Sequence, residues 1–235
     1  MKSKLILALA ISLGVFSSCD NDNTKIEFDG AGDIYVRCQK IEGVVNYAPV
    51  IFAYSNMYMS SATLAHSDED SPVITLEKES DNATTFFSLP TTQDYSATDV
   101  KNGTYNFILT STDSEVLYVA DKLLEVRISP LEISKFEYTE EEHKLDLEWG
   151  TVENRDVYHV KIATKIDGIV VYRSARLNNN ELTITPESDG WERNYAMKAG
   201  TTYTVSVSAY KFENSTTQQG AHINQESVEY REIEW

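Results

Sequence analysis

The side chains able to do chemistry are scattered along this chain. Its four histidines, His66, His143, His159 and His222, stand far apart, and none has the i, i+4 or short-loop spacing of a zinc site. His159 alternates with apolar residues in Tyr158-His159-Val160-Lys161-Ile162, which predicts a solvent-facing strand position. The acidic runs Asp68-Glu69-Asp70 and Glu140-Glu141-Glu142 read as solvated turns, and the first lacks the alternating oxygen ligands of a calcium loop. There is no Gly-x-Ser-x-Gly elbow, no phosphate-cradling glycine loop and no dinucleotide fingerprint. The expectation is therefore no catalytic residue, no metal and no cofactor, in a protein that is not an enzyme.

Residues suited to binding are easier to find. Residues 211–226 form a long, polar, amide-rich connection containing Asn214, Gln218, Gln219 and His222. Such a composition hydrogen-bonds adaptably to a sugar or to another protein's backbone, and loops at one end of a rigid scaffold commonly carry function. Trp191 and Tyr195 fall in a turn-rich insertion around 186–194, where they offer a stacking platform for a sugar ring or a cover for the edge of a core. Trp235 closes the chain with no partner assigned from the sequence.

The elements that must position these residues are strands. In Gly200-Thr-Thr-Tyr-Thr-Val-Ser-Val-Ser-Ala-Tyr210, Tyr203, Val205, Val207 and Ala209 alternate with Thr204, Ser206, Ser208 and Tyr210. A period of two in β-branched residues is a half-buried strand. Upstream, strands are expected at 34–40, 49–54, 57–65, 73–78, 84–89, 104–112, 116–120 and 123–128, separated by turn-rich breaks. No window has a helical period of useful length. Ser129-Pro130 marks the boundary between two halves, because proline cannot continue a ladder and its predecessor is pushed extended. So short a link predicts two sandwiches stacked end to end.

The first residues are expected to lie outside the fold. Lys2 and Lys4 form a basic start, residues 5–16 are apolar, and small residues precede Cys19. That is a secretory signal, too short to span a bilayer as a helix. Without Lys2 and Lys4 the chain keeps 18 basic against 37 acidic residues, a net charge of -19. Such acidity disfavours nucleic acid and anionic lipid as partners. Cys38 remains the single thiol if Cys19 is modified, and its alternation with Ile34 and Val36 predicts a buried, unreactive side chain with no disulfide.

Two resemblances add to this reading. Phe16-Ser17-Ser18-Cys19 resembles the lipobox of bacterial lipoproteins, although Phe16 stands where an aliphatic residue is usual. The resemblance implies lipidation of Cys19 and membrane attachment through that lipid. Asp20-Asn21-Asp22-Asn23 resembles the export signal of Bacteroidetes surface lipoproteins, which implies an outer-membrane protein facing the cell exterior. The second half resembles a fibronectin type III domain. Leu145, Leu147 and Trp149 match its second strand, residues 158–162 its third, and Tyr203 the tyrosine corner of its sixth. Met197 and Ala199 replace the leucine and proline usual before the glycine, and the segment 177–199 is longer than usual. The expected fold is all-β: two immunoglobulin-like or fibronectin type III-like β-sandwich domains in tandem. The expected organisation is a signal peptide at 1–18, a lipidated tether at 19–24, and sandwiches at 25–129 and 130–235. The expected function is a cell-surface lipoprotein acting as a non-catalytic binding or adhesion module for a protein or glycan ligand. The alternative is a glycan-binding accessory lipoprotein of a polysaccharide-uptake system.

Overall fold

A computed structural model of the chain describes residues 26–68, 70–78, 80–193, 195–214 and 222–235. The expected signal peptide, the tether with Cys19, and Gln218 and Gln219 lie outside the described residues. The protein is all β. In chain order the strands are β1 (Gly30–Ile41), β2 (Val44–Ser55), β3 (Met59–His66), β4 (Ile74–Thr75), β5 (Glu77–Lys78), β6 (Thr85–Ser88), β7 (Gly103–Ser111) and β8 (Val116–Leu123). They continue as β9 (Ile133–Thr139), β10 (Lys144–Trp149), β11 (Val157–Ala163), β12 (Val170–Arg173), β13 (Glu181–Ile184), β14 (Thr202–Phe212) and β15 (Ile223–Glu234). The run Glu140–Glu142 is a single exposed 3-10 turn.

The buried apolar residues form two main clusters. Ile34, Val36, Ile51 and Ala53 from β1 and β2 face Met59, Ala62, Leu64, Phe107, Leu109 and Leu123 from the four-stranded sheet β4-β3-β7-β8. Trp149, Leu145 and Leu147 from the three-stranded sheet β13-β10-β9 face Tyr158, Val160, Ile162, Tyr203, Val205 and Val207. Each is a sheet-on-sheet core filled by every second residue of its strands. Tyr203 is fully buried, and its hydroxyl accepts the Lys198 backbone N–H at 3.0 Å, which ties the preceding crossover to the core. Cys38 is fully buried, and burial pushes its thiol up to about 11.

What joins the two cores is a single sheet. Its eight strands run β12-β11-β14-β15-β1-β2-β6-β5, so one layer serves both sandwiches. The junction is a short parallel pairing of β1 with β15, Val36 with Gln225 through Cys38 with Ser227. The end-to-end stack expected from the short link gives way to this lateral continuity, because the last strand of the chain finds the open edge of the first. Nor do residues 123–128 form a strand of their own. β8 runs unbroken to Leu123, and the following backbone is held by side chains of β15. Leu124 N–H donates to Asn224 Oδ1 (2.7 Å), Ile128 N–H to Gln225 Oε1 (2.7 Å) and Leu131 N–H to Ser227 Oγ (2.8 Å). The apolar residues there serve as plugs, since Ile128 and Leu131 are buried in the second core.

The face of β14 opposite the core is also covered. Ser208 and Thr204 are 1% and 7% exposed, where alternation alone suggests a wetter surface. Across the β1–β15 junction, long side chains lie over that face. Arg37 Nε donates to Glu226 Oε2 (2.8 Å) and Arg37 Nη1 to Asp167 Oδ2 (2.8 Å). Glu226 Oε1 accepts from Ser208 Oγ (2.9 Å) and Tyr210 OH (2.7 Å). Burial alone would raise the Glu226 carboxyl; the charges of Arg37 and Lys161 and the Tyr210 hydroxyl overcome it and hold the group at about 2. His159 lies on this face, half-buried rather than solvent-facing. Burial, then Lys161, Arg173 and Arg176, push its imidazole down to about 4.

Candidate functional site

β14 and β15 form one antiparallel hairpin, and the binding residues expected from the sequence fall at its two ends. Eleven residues of strand separate those ends by roughly 30 Å. Trp191 and Tyr195 therefore do not meet Asn214 and His222.

At the end where β14 begins, rings close over the second core. Trp191 is half-buried; its indole N–H donates to the Thr185 carbonyl at 2.8 Å, and its ring sits edge-on to Tyr172 with centroids 4.9 Å apart. Tyr195 is half-buried against Tyr203, the two hydroxyls 3.3 Å apart. Trp235, which had no partner from sequence, stacks on His143 (5.2 Å, 12°) and contacts Tyr138 (5.5 Å) and Trp191 (5.6 Å). Trp235, His143, Tyr138 and Trp191 are each partly exposed, so the cluster is both a lid on the core and a rigid aromatic surface.

At the far end, the strand pairing brings four ionisable groups to one point. β15 pairs with β1 from Val36 onward, so the edge of β1 before Val36 is open on that side. The Ile34 N–H on that edge donates to Asp121 Oδ2 at 2.8 Å, and Asp121 Oδ1 accepts the Lys122 N–H at 2.8 Å. This fixes Asp121, on β8, beside Asp33 on β1. The hairpin mouth arrives from the other side, with the Glu213 N–H donating to the His222 carbonyl at 3.1 Å. One ligand-type atom each from Asp33, Asp121, Glu213 and His222 lies within 4.8 Å of all the others. His222 Nδ1 is 3.5 Å from Asp121 Oδ1 and 3.6 Å from Asp33 Oδ1.

Electrostatics at this point are strongly perturbed. Burial and then the Asp121 charge push the Asp33 carboxyl up to about 7, against the pull of His222. Burial and the Asp121 charge likewise push Glu213 up to about 7. The His222 imidazole is held up to about 9 by its contact with Asp121, and by the charges of Asp33 and Glu213, against the effect of burial. Asp33 Oδ1 and Glu213 Oε1 are buried with no hydrogen-bond partner among the described residues. Asn214, beside them, is exposed. Sequence reasoning found His222 but not Asp33, Asp121 or Glu213. These three stand in different strands or strand ends, and no spacing links them; the one available signal is that 213 and 222 face each other across a hairpin mouth.

No protein-family model matches the chain, and no curated protein matches it.

Proposed function

We propose that the protein is a lipid-anchored, cell-surface binding module without catalytic activity. The lipobox-like segment ending at Cys19 and the acidic residues after it support the anchor and the exposure. Among the described residues no helix is long and apolar enough to cross a membrane. The observation that carries the binding reading is the ring cluster of Trp235, His143, Tyr138 and Trp191. These side chains are held in fixed orientations by mutual packing and by the Trp191 N–H bond to Thr185, yet keep part of their surface in solvent. Pre-ordered aromatic rings bind with little loss of side-chain entropy.

The same cluster favours a second reading, a glycan-binding accessory lipoprotein of a polysaccharide-uptake system, because flat rings stack on sugar faces. A glycan array and an adhesion assay on an immobilised protein panel, both run with the Cys19→Ser protein, separate the two. Binding that Trp235→Ala removes, while the melting temperature stays within a few degrees, supports the module. Binding to neither surface overturns it.

A further inference from the structure

The cluster at the far end of the hairpin is placed to hold an ion. Three carboxyl groups and one imidazole converge there, and among the described residues His222 is the sole ion-pair partner of Asp33 and Asp121, while Glu213 has none. The sequence between Asn214 and His222, Ser-Thr-Thr-Gln-Gln-Gly-Ala, contributes no charge. Three buried or half-buried acids against one base is an arrangement that costs stability as it stands. A structural ion pair would leave the acid oxygens hydrogen-bonded. Here Asp33 Oδ1 and Glu213 Oε1 are buried and have no hydrogen-bond partner among the described residues, the nearest base to Asp33 Oδ1 being His222 Nδ1 at 3.6 Å. Buried polar atoms without partners are rare in folded proteins and call for an occupant such as an ion or an ordered water; the charge balance here favours a cation.

The spacing fits as well. Ligand atoms ~2.1 Å from a tetrahedral metal ion lie ~3.4 Å from one another. His222 Nδ1 stands 3.5 Å from Asp121 Oδ1 and 3.6 Å from Asp33 Oδ1, so these three already occupy edges of such a shell. The widest separation in the group, 4.8 Å at most, closes with a side-chain adjustment of ~1 Å. Asp121 is held by backbone N–H groups of Ile34 and Lys122, the kind of outer support that fixes a ligating carboxylate. Mixed carboxylate and imidazole donors select a first-row divalent ion of the zinc or manganese type; calcium takes oxygen ligands.

We propose that Asp33, Asp121, Glu213 and His222 bind one divalent transition-metal ion of the zinc or manganese class. With four protein ligands the site is structural rather than catalytic. Two ligands belong to the strands of the first core and two to the hairpin of the second. The ion pins the hairpin mouth to the first sandwich, beyond the point where the β1–β15 pairing ends.

The test uses the full-length protein in detergent, stripped with a chelator and titrated with zinc chloride, manganese chloride and calcium chloride. Zinc or manganese binds at one ion per chain and raises the melting temperature by several degrees at a 100-fold excess over Kd. Asp33→Asn and Glu213→Gln each weaken binding by at least about 100-fold and abolish that rise. In chelator both variants melt at or above the wild type, since each relieves the crowding of like charges, and this shows that they fold. His66→Gln, in the separate pair with Asp68, leaves binding unchanged. The proposal falls if no ion binds at one per chain, or if Asp33→Asn and Glu213→Gln bind as the wild type does. It also falls if His66→Gln removes the binding, or if calcium stabilises the protein while zinc and manganese do not.

Discussion

Replacing Glu226 with Gln tests the junction between the two cores. Glu226 is 3% exposed and receives Arg37, Ser208 and Tyr210. At the 2.8 Å contact with Arg37 the bare attraction is about 6 kcal/mol at an effective dielectric of 20, and desolvation of the two ions offsets much of it. The net effect is visible in the carboxyl itself, held at about 2 against an ordinary 4.5. That gap corresponds to roughly 3 kcal/mol of stability in the ionised form. Glu226→Gln keeps the shape and removes the charge, leaving Arg37 with Asp167 as its remaining carboxylate. The expected loss is about 3 kcal/mol at pH 7, at the lower end of what stranding a buried partner costs because Asp167 stays. The double variant Arg37→Met with Glu226→Met should lose much less than the single one.

The sign of the pH dependence follows from the depressed carboxyl. Its contribution is complete above about 4.5 and is lost as pH falls through about 2. The gap between wild type and Glu226→Gln, measured by urea melts from pH 7 downward, should therefore close near pH 2. The other groups facing Glu226 are Lys161, Tyr35, Tyr210, Tyr230, Tyr95 and Asp167, of which Asp167 alone is a carboxyl, and Asp167→Asn serves as the control. A gap under 1 kcal/mol at pH 7, or one of equal size at pH 7 and pH 2, refutes the reasoning.

Four further outcomes are expected. Tyr203→Phe removes the hydrogen bond from Lys198 and should cost ~0.5–1.5 kcal/mol, whereas Tyr203→Ala also leaves a cavity and should cost ~3–5 kcal/mol. Thr204→Ala, on the opposite and shallower face, should cost ~1 kcal/mol, and denaturant melts that show it as damaging as Tyr203→Ala would contradict the register. A Cβ at Gly32 would meet the Phe107 ring at 2.5 Å in the middle of the first core, so Gly32→Ala should destabilise by ~1–3 kcal/mol in thermal melts, and a neutral result would contradict that packing. Cys19→Ser should release the protein from the membrane fraction, with retention after a high-salt wash counting against the anchor. Protease added to intact cells should degrade the native protein, and Asp20→Ala with Asp22→Ala should protect it if those residues direct export.

Alternation along single strands is legible in the amino-acid sequence alone. Leu145, Leu147 and Trp149, and Tyr203, Val205 and Val207, announce their buried face by a period of two, and each lies in the core. Cys38, two and four residues on from Val36 and Ile34, is buried as its alternation with them predicts, although Tyr35 and Arg37 between them are buried as well. Even the hydroxyl of Tyr203 meets the backbone of the preceding crossover as its position at the strand start implies. These are local properties, because a side chain's face is set by its neighbours two residues away. Pairing is not local. Nothing in the pattern of β1 or β15 states that Val36 lies beside Gln225, or that Arg37 meets Glu226 across 189 residues of sequence. The period of two reads residues 123–128 as a strand because their apolar residues do seek a core. Tertiary structure decided that the Asn224 and Gln225 side chains, rather than a neighbouring strand, bond that backbone. The meeting of Asp33, Asp121, Glu213 and His222 was decided in the same way. Each residue reads as an ordinary polar position in its own segment, and their convergence exists only once the hairpin mouth closes against the open edge of β1.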